Sequence, residues 1–298
     1  MAYSLRMSDE SVDAGIRRIA ISQLETGLSE LRDETLSQHQ RVRQARKRCK
    51  KMRGLVRLVR PVFPGFETEN AAFRDAARTL SPLRDASAVL ESVDALEHHF
   101  SAQLKKAALA PLRQALEAQR KGLDEAEIEE RLSDLRLVFR EALDRVPDWS
   151  LNANGADAFT PGARKTYKRA RKAMQKARKS RIAEDFHEWR KPMKYHWYQI
   201  RLMKKVWPPV MSGYGEQAEQ LCSDLGEHHD LAVLRATAKT LLGASSDTTE
   251  LVEGLAIGRQ HELEKTCIKR GKKLLAEPPD DMARRWAKWW DSARQPVP

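Results

Sequence analysis

Residues 39–60 hold ten Lys or Arg and not one acid, and their apolar residues recur at helical spacing. Such a segment is expected to fold as a helix that packs by one side and shows bare positive charge on the other. Residues 164–181 repeat the condition with another ten bases and no acid, and 187–205 hold six bases against Glu188 alone. Together the three segments carry 26 bases and 1 acid in 59 residues, so the rest of the 298-residue chain is net −13 although the whole is +12. The chain is charge-segregated, with three cationic helices set in an acidic body. Like charges crowded in this way repel one another. A polyanionic partner is the simplest thing that would offset the cost.

The length suits one large domain or two moderate ones and is ample for a core. Charged residues at 32% with aromatics at 6% point to long solvated helices rather than a β-sandwich. No stretch approaches the roughly 18 apolar residues that a membrane span needs. The opening MAYSLRMSDESVDAG lacks the basic-then-apolar pattern of a secretory signal. Cys49, Cys222 and Cys267 are odd in number, far apart and in no CxxC pair. They read as reduced, buried thiols, so the expected compartment is the cytoplasm.

Apolar spacing is helical nearly throughout. Ile16, Ile19, Ala20, Leu24, Leu28 and Leu31 make one stripe. Further helices are predicted near 68–80, 84–107, 110–121, 124–146, 160–183, 186–206, 214–242, 248–276 and 280–292. Breaks are expected where Pro and Gly cluster, at 61–65, 207–215, 243–246 and 277–280. The polar stretch 147–162 lies near the midpoint and divides the chain into halves, 1–150 and 151–298. These halves resemble each other. Shifted by 144, the run Arg43-Gln44-Ala45-Arg46-Lys47-Arg48-Cys49-Lys50 falls on His187-Glu188-Trp189-Arg190-Lys191-Pro192-Met193-Lys194. Arg57 then falls on Arg201. Shifted by 145, Leu80-Ser81-Pro82-Leu83-Arg84-Asp85 falls on Leu225-Gly226-Glu227-His228-His229-Asp230. The reading is a duplicated helical-bundle unit.

On a wheel advancing about 100° per residue, Arg43, Arg46, Lys47, Lys50, Arg53 and Arg57 share a wedge of about 120°. Ala45, Cys49, Met52, Leu55, Val56 and Val59 oppose it. His187, Arg190, Lys191, Lys194 and Arg201 share a wedge in the second copy, opposed by Trp189, Met193, Ile200 and Met203. In 164–181, Arg164, Lys168, Arg171 and Arg178 line one face, with Tyr167 nearest the boundary on the packing side. The competing reading is a merely solvated face. Solvated faces, however, mix signs for i,i+4 pairing, and these three nearly exclude acids. A pseudo-twofold between the copies would turn their cations onto a common groove or channel. Arg offers phosphate a planar two-donor fork and Lys a mobile point charge. Residues 39–60 lack the aromatics that stack bases, so a bare phosphate chain fits better than a base-bearing one. Trp189, Tyr195, Trp197 and Tyr198 keep nucleic acid as the second reading.

Other signals are weaker. His228-His229-Asp230 suggests metal-dependent HD phosphohydrolases, but further ligands in the required order are missing, and a packed or surface His pair is the plainer reading. His187-Glu188 lacks the second His of HExxH, and no phosphate-cradling Gly-rich loop or GxSxG elbow is present. No metal or cofactor is expected. Glu127, Glu129 and Glu130 read as solvated surface. Trp286, Trp289 and Trp290 have the spacing that docks a last helix.

H-x-x-R-K at His187, Arg190 and Lys191, followed by Lys194 and Tyr198-Gln199, resembles the second signature of CHAD domains, the conserved-histidine α-helical domains. Arg43-Gln44-Ala45-Arg46-Lys47 through Lys50-Lys51-Met52-Arg53 resembles the first. Leu83-Arg84-Asp85, Tyr167 with Arg171, and His228-His229-Asp230 also resemble family positions, and the resemblance runs over about 3–293. It implies an all-α fold of two pseudo-symmetric four-helix bundles forming one domain with a basic central surface. It implies binding of inorganic polyphosphate and association with polyphosphate granules. The expected contacts are Arg43, Arg46, Lys47, Lys50, Arg53, Arg57, Arg164, Tyr167, Lys168, Arg171, His187, Arg190, Lys191, Lys194 and Arg201. One departure is Arg43 where the family has a histidine, with His39 one turn away. A permanent charge at 43 favours binding over catalysis, so no enzymatic activity is expected. Pro192 is a second departure, expected to kink or delay its helix.

Overall fold

The structure, a computed structural model, describes residues 3–105, 107–121 and 125–295, and of 81–87, 120, 121 and 125 the backbone only. Among the described residues every regular element is helical and there is no strand. The first half supplies α1 (Val12–Arg32), α2 (Gln38–Leu58), α3 (Phe66–Thr79), α4 (Ser81–His99), α5 (Ala110–Lys121) and α6 (Glu125–Arg145). The second supplies α7 (Thr160–Ser180), α8 (Ala183–Leu202), α9 (Pro208–Leu242), α10 (Asp247–Leu274) and α11 (Pro279–Arg294).

Helix starts follow local chemistry. The Ser11 hydroxyl accepts from the Ala14 N–H at 3.0 Å. Ser37 and Gln40 exchange side-chain and backbone bonds in a capping box that opens α2. Prolines sit in the first turn of α4, α7, α9 and α11, where a missing N–H costs nothing.

Two sequence expectations are corrected. The break expected through 207–215 is confined to its start, because Pro208 and Pro209 open α9, which runs on through Gly213 and Gly215. Tyr214 anchors its second turn, donating its hydroxyl to the Leu274 carbonyl at 3.1 Å. The helix expected to reach 107 ends at His99. Pro192 lies inside α8, which runs from Ala183 to Leu202. Having no N–H, Pro192 leaves the Glu188 carbonyl without its usual donor.

The α1 stripe is buried as its spacing requires, with Ile19, Ala20, Leu24 and Leu31 fully inaccessible. It belongs to a large core cluster that runs across 147–162 and joins α2, α3, α6, α7, α8 and α11. A second cluster brings α4 and α5 onto α9 and α10, through Val93, Leu112 and Leu116 against Leu234, Val252 and Ala256. Trp286 and Trp290 are buried and seat α11.

Two glycines fix the placement of α2. At Gly54 a Cβ would lie 2.9 Å from the Tyr198 Cβ, so α2 and α8 meet nearly backbone to backbone. Under the 144-residue shift, position 54 falls on 198. The two helices therefore meet at residues that the shift places on each other. At Gly162 a Cβ would lie 1.9 Å from the Leu58 carbonyl oxygen, so α7 is pressed equally close to the end of α2.

Backbone cannot yield as a flexible side chain does. Gly162→Ala should therefore cost about 3 kcal/mol in urea unfolding. Gly213→Ala, at an exposed helical site with nothing within 4 Å, should instead gain about 0.5–1 kcal/mol. Equal effects at the two sites would show that α7 and α2 are not in this contact.

Candidate functional site

The crossing of α2 and α8 opens a cavity of about 630 Å³. From α2 it is lined by Arg46, Lys50, Arg53 and Arg57, and from α8 by His187, Arg190, Lys191, Lys194, Tyr195 and Tyr198. Arg74 and Arg78 of α3, Arg169 of α7 and His229 and Asp230 of α9 complete the charged lining. The rotation of each helix is set by its buried side: Ala45, Cys49, Met52 and Leu55 on α2, and Trp189, Met193 and Ile200 on α8. With those residues in the core, the opposite cations have nowhere else to point.

Not every cation of α2 reaches the cavity. Arg48 turns inward to Glu30, with two bonds of 2.8 and 2.6 Å, and to Gln23 at 2.7 Å. Lys51 donates to Gln23 at 3.0 Å. Burial, and then the nearby Arg48, Arg201 and Lys47 charges, push its pKa down to about 7. These two are tied to the packed side of the fold.

The cavity cations are handled differently. Arg53, Arg57, Arg169, Arg190 and Lys194 form no salt bridge among the described residues. Arg57 lies 4.4 Å from the centroid of the Tyr195 ring and Lys194 lies 4.0 Å from that of Trp197, contacts that hold a cation without neutralising it. Burial lowers the pKa of both Arg53 and Lys194. The Nε atoms of Arg57 and Arg190 are buried with no acceptor in reach among the described residues. Exceptions are Lys191, which donates to Glu188, and Arg74, which forms two 2.8 Å bonds to Asp75.

His187 and His229 face each other with ring centroids 3.8 Å apart. Two imidazolium rings at that distance would repel strongly. Burial first, then His229, Lys191 and Arg190, push the pKa of His187 down to about 4. That of His229 is lowered by burial and then by Arg190. Both rings are neutral near pH 7.

Most of the expected α2 and α8 contacts are thus brought together, and several others are not. Lys47 is exposed and Arg201 stacks against Trp197 at 4.9 Å; neither lines the cavity. Arg43 lies outside it, 3.7 Å from Glu91, in a neighbouring cavity of about 420 Å³ that also holds Glu227 and Arg259. The α7 assignment needs correcting. Arg164 pairs with Asp280, while Tyr167 is buried and donates its hydroxyl to the Glu277 carbonyl at 3.0 Å. Burial raises the Tyr167 pKa to about 12. Lys168 and Arg171 do not line the cavity either. The α7 residue that enters is Arg169, on the other edge of the cationic arc. The side chains of Leu83, Arg84 and Asp85 lie outside the described residues.

Sequence reasoning missed Arg74, Arg78, Arg169 and Tyr195 and undervalued His229. A usable signal existed for His229, because the 145-residue shift places it on Arg84. His228, by contrast, is a packed histidine, stacked 4.7 Å from Phe186. One group has metal-ligand composition among the described residues: Glu184, His187 and Glu188, with donor atoms within 4.8 Å of one another. Glu188 is committed to Lys191, and the adjoining Arg190 disfavours a cation there.

The histidines make stability depend on pH. In the unfolded chain they titrate near 6.5. In the fold His187 stays neutral to about 4, and burial pushes His196, fully enclosed against Trp286, down to about 3. The unfolded state therefore binds more protons below 6.5, so their contribution is complete above that pH and lost as pH falls toward 4. The unfolding free energy in urea should be lower at pH 5 than at pH 7, and His187→Gln should make the decline shallower. An unchanged slope in that variant would show that His187 is not held neutral.

The chain matches the family model described as CHAD domain over residues 19–239. No curated protein matches it. The crystal structure of the CHAD domain from the plant Ricinus communis is similar with a TM-score of 0.61 and 14% identity, covering 93% of this chain and 95% of that one. At that identity the structural likeness establishes the all-helical fold and nothing finer. The family model spans well over half of the chain, and with it the cationic helix α2, all of α8 and the histidine pair of the cavity: the chain belongs to the CHAD domain family.

Proposed function

We propose that this protein binds inorganic polyphosphate in the cavity between α2 and α8, without catalysing its conversion. The observation that carries the reading is the charge of the lining: ten Lys or Arg against one carboxylate, Asp230. A half-buried concentration of one sign is costly unless a counter-charge enters. Phosphate oxygens suit it, because the arginines supply paired donors and the lysines adaptable ones. A neutral His187 still donates or accepts a hydrogen bond, and a bound anion would favour its protonated form.

The aromatic residues of α8 support a bare phosphate chain over nucleic acid. Trp189 and Trp197 are buried, Tyr198 is buried at the helix crossing, and Tyr195 is covered by Arg57. The three buried rings offer no free face on which a base would stack, and Arg57 already stacks on the fourth. Phosphoryl transfer commonly relies on carboxylates that hold divalent ions, and a single carboxylate among ten cations is poorly suited to that task. Among the described residues no helix is long and apolar enough to cross a membrane. Association with polyphosphate granules in the cytoplasm would follow from this ligand.

Binding should be driven largely by counterion release. By analogy with single-stranded nucleic acids, contact with about six phosphates would lower affinity several hundred-fold between 50 and 200 mM salt. Arg53→Glu combined with Arg190→Glu should abolish retention of polyphosphate while circular dichroism shows unchanged helicity. Retained binding in that folded variant would overturn the site, and displacement by duplex DNA at equal phosphate concentration would overturn the ligand class.

A further inference from the structure

We propose that Tyr195 is a positioning residue of the anion site: its ring, carried by α8, holds the Arg53 and Arg57 guanidinium groups of α2 ready for the ligand. This rests on the reading of the cavity as a polyphosphate site.

Arg53 and Arg57 lie one turn apart on α2, where like charges repel. Both line the cavity and both are half-buried. Neither forms a salt bridge among the described residues. A ligand that fixed two such long side chains from a disordered state would lose affinity to their ordering. Tyr195 orders them beforehand. Arg57 lies over its ring at 4.4 Å from the centroid, and Arg53 at 5.6 Å. The other contacts are weaker. The Arg53 Nε donates to the Asn70 Oδ1 at a long 3.4 Å, and the Phe66 ring lies 5.8 Å from Arg57.

A ring suits this task better than a charged side chain does. It attracts a cation through its face and takes none of the N–H donors that leave the guanidinium at its edge. A carboxylate would occupy those donors and compete with phosphate for them. A lysine would repel both arginines, and a lysine is what the other half of the chain carries: the 144-residue shift places Lys51 on Tyr195 and Arg53 on Trp197. At two positions where α2 has cations, α8 has rings. Trp197 lies 4.0 Å from Lys194 of its own helix, whereas Tyr195 reaches across the helix crossing to α2. It borders both the cavity and a narrow cleft beside it that is also lined by Arg57 and Arg169.

The test is a double-mutant cycle read by calorimetric titration with long-chain polyphosphate at 0.15 M salt. Tyr195→Leu removes the ring and no charge. It should lower affinity about tenfold, the effect of freeing two arginines that binding must order again. Tyr195→Phe keeps the ring face and should restore affinity to within about threefold of the unaltered protein. In an Arg53→Gln, Arg57→Gln background the ring has no guanidinium to hold, so Tyr195→Leu should change the remaining affinity less than about twofold. A loss that persists undiminished in that background would show that the ring only packs the wall, and would overturn the proposal. A loss in Tyr195→Phe as large as in Tyr195→Leu would assign the role to the hydroxyl and overturn it too, as would no loss in Tyr195→Leu. Circular dichroism follows the fold, and Tyr195→Met replaces the leucine variant if that one does not fold. If the unaltered protein binds no polyphosphate, the cavity reading falls and this one with it. A failed cycle in a protein that does bind overturns the role of Tyr195 and leaves the cavity reading intact.

Discussion

The close approach of α2 and α8 at Gly54 and Tyr198 is the constraint on which the rest depends. Each helix has an apolar side and a cationic side, and the apolar sides fix how the helices are rotated. Burying one large apolar side chain stabilises by about 1.5–3 kcal/mol. One like-charge neighbour on a helix costs a few tenths. With Cys49, Met52, Leu55, Trp189, Met193 and Ile200 all buried, hydrophobic packing decides, and the positive sides are forced to face one space whatever their repulsion. A Tyr, Leu or Val at position 54 would push the helices apart, and the two sets of cations would then no longer share that space.

The fold treats its cations in two ways. Those that face the core or the outer bundle are neutralised: Arg48 by Glu30, Arg145 by Glu69 at 2.7 Å, and Arg18 by Asp9 at 2.7 Å. Of those that face the cavity, Arg53, Arg57 and Lys194 are held by ring faces instead, and burial lowers the pKa of Arg53 and Lys194 rather than raising it. A carboxylate partner would have raised both. Supplying acids to structural cations while withholding them from a concave surface is what an anion site requires, since a resident carboxylate would compete with the ligand.

The cavity's α2 and α8 walls were legible in the sequence because on those helices the apolar residues leave one way to orient the charge. α7 was not, and the reason is specific. Its cations cover about half of the wheel, from Arg169 through Lys165 and Lys172 to Arg164 and Arg171. Periodicity says which side packs but not which edge of so wide an arc borders the cavity. Tyr167 was drawn toward the ligand by its place at the boundary, yet its ring lies in the core and its hydroxyl binds a backbone carbonyl. Arg74 and Arg78 sit in a helix of mixed charge, with Glu67, Glu69 and Asp75 close by in sequence, and only the tertiary packing of α3 against α2 selects them. The glycines at 213 and 215 suggested a turn, but two prolines can open a helix as well as end one, and Tyr214 holds the second turn by a bond to α10.

The positions that the 144-residue shift pairs in the sequence differ in what they do. Position 187 is a histidine inside the cavity, stacked on His229, whereas its counterpart Arg43 lies outside beside Glu91. The α2 wall is therefore built only of permanent charge, and the α8–α9 wall carries the two groups that titrate nearest physiological pH. Surrounded by arginine and lysine, those rings stay neutral, and so they add hydrogen-bonding atoms to the cavity without adding to its repulsion. An arginine at 187 would instead place an eleventh permanent charge among ten. The asymmetry is thus what electrostatics favours in a cavity that already gathers ten cations.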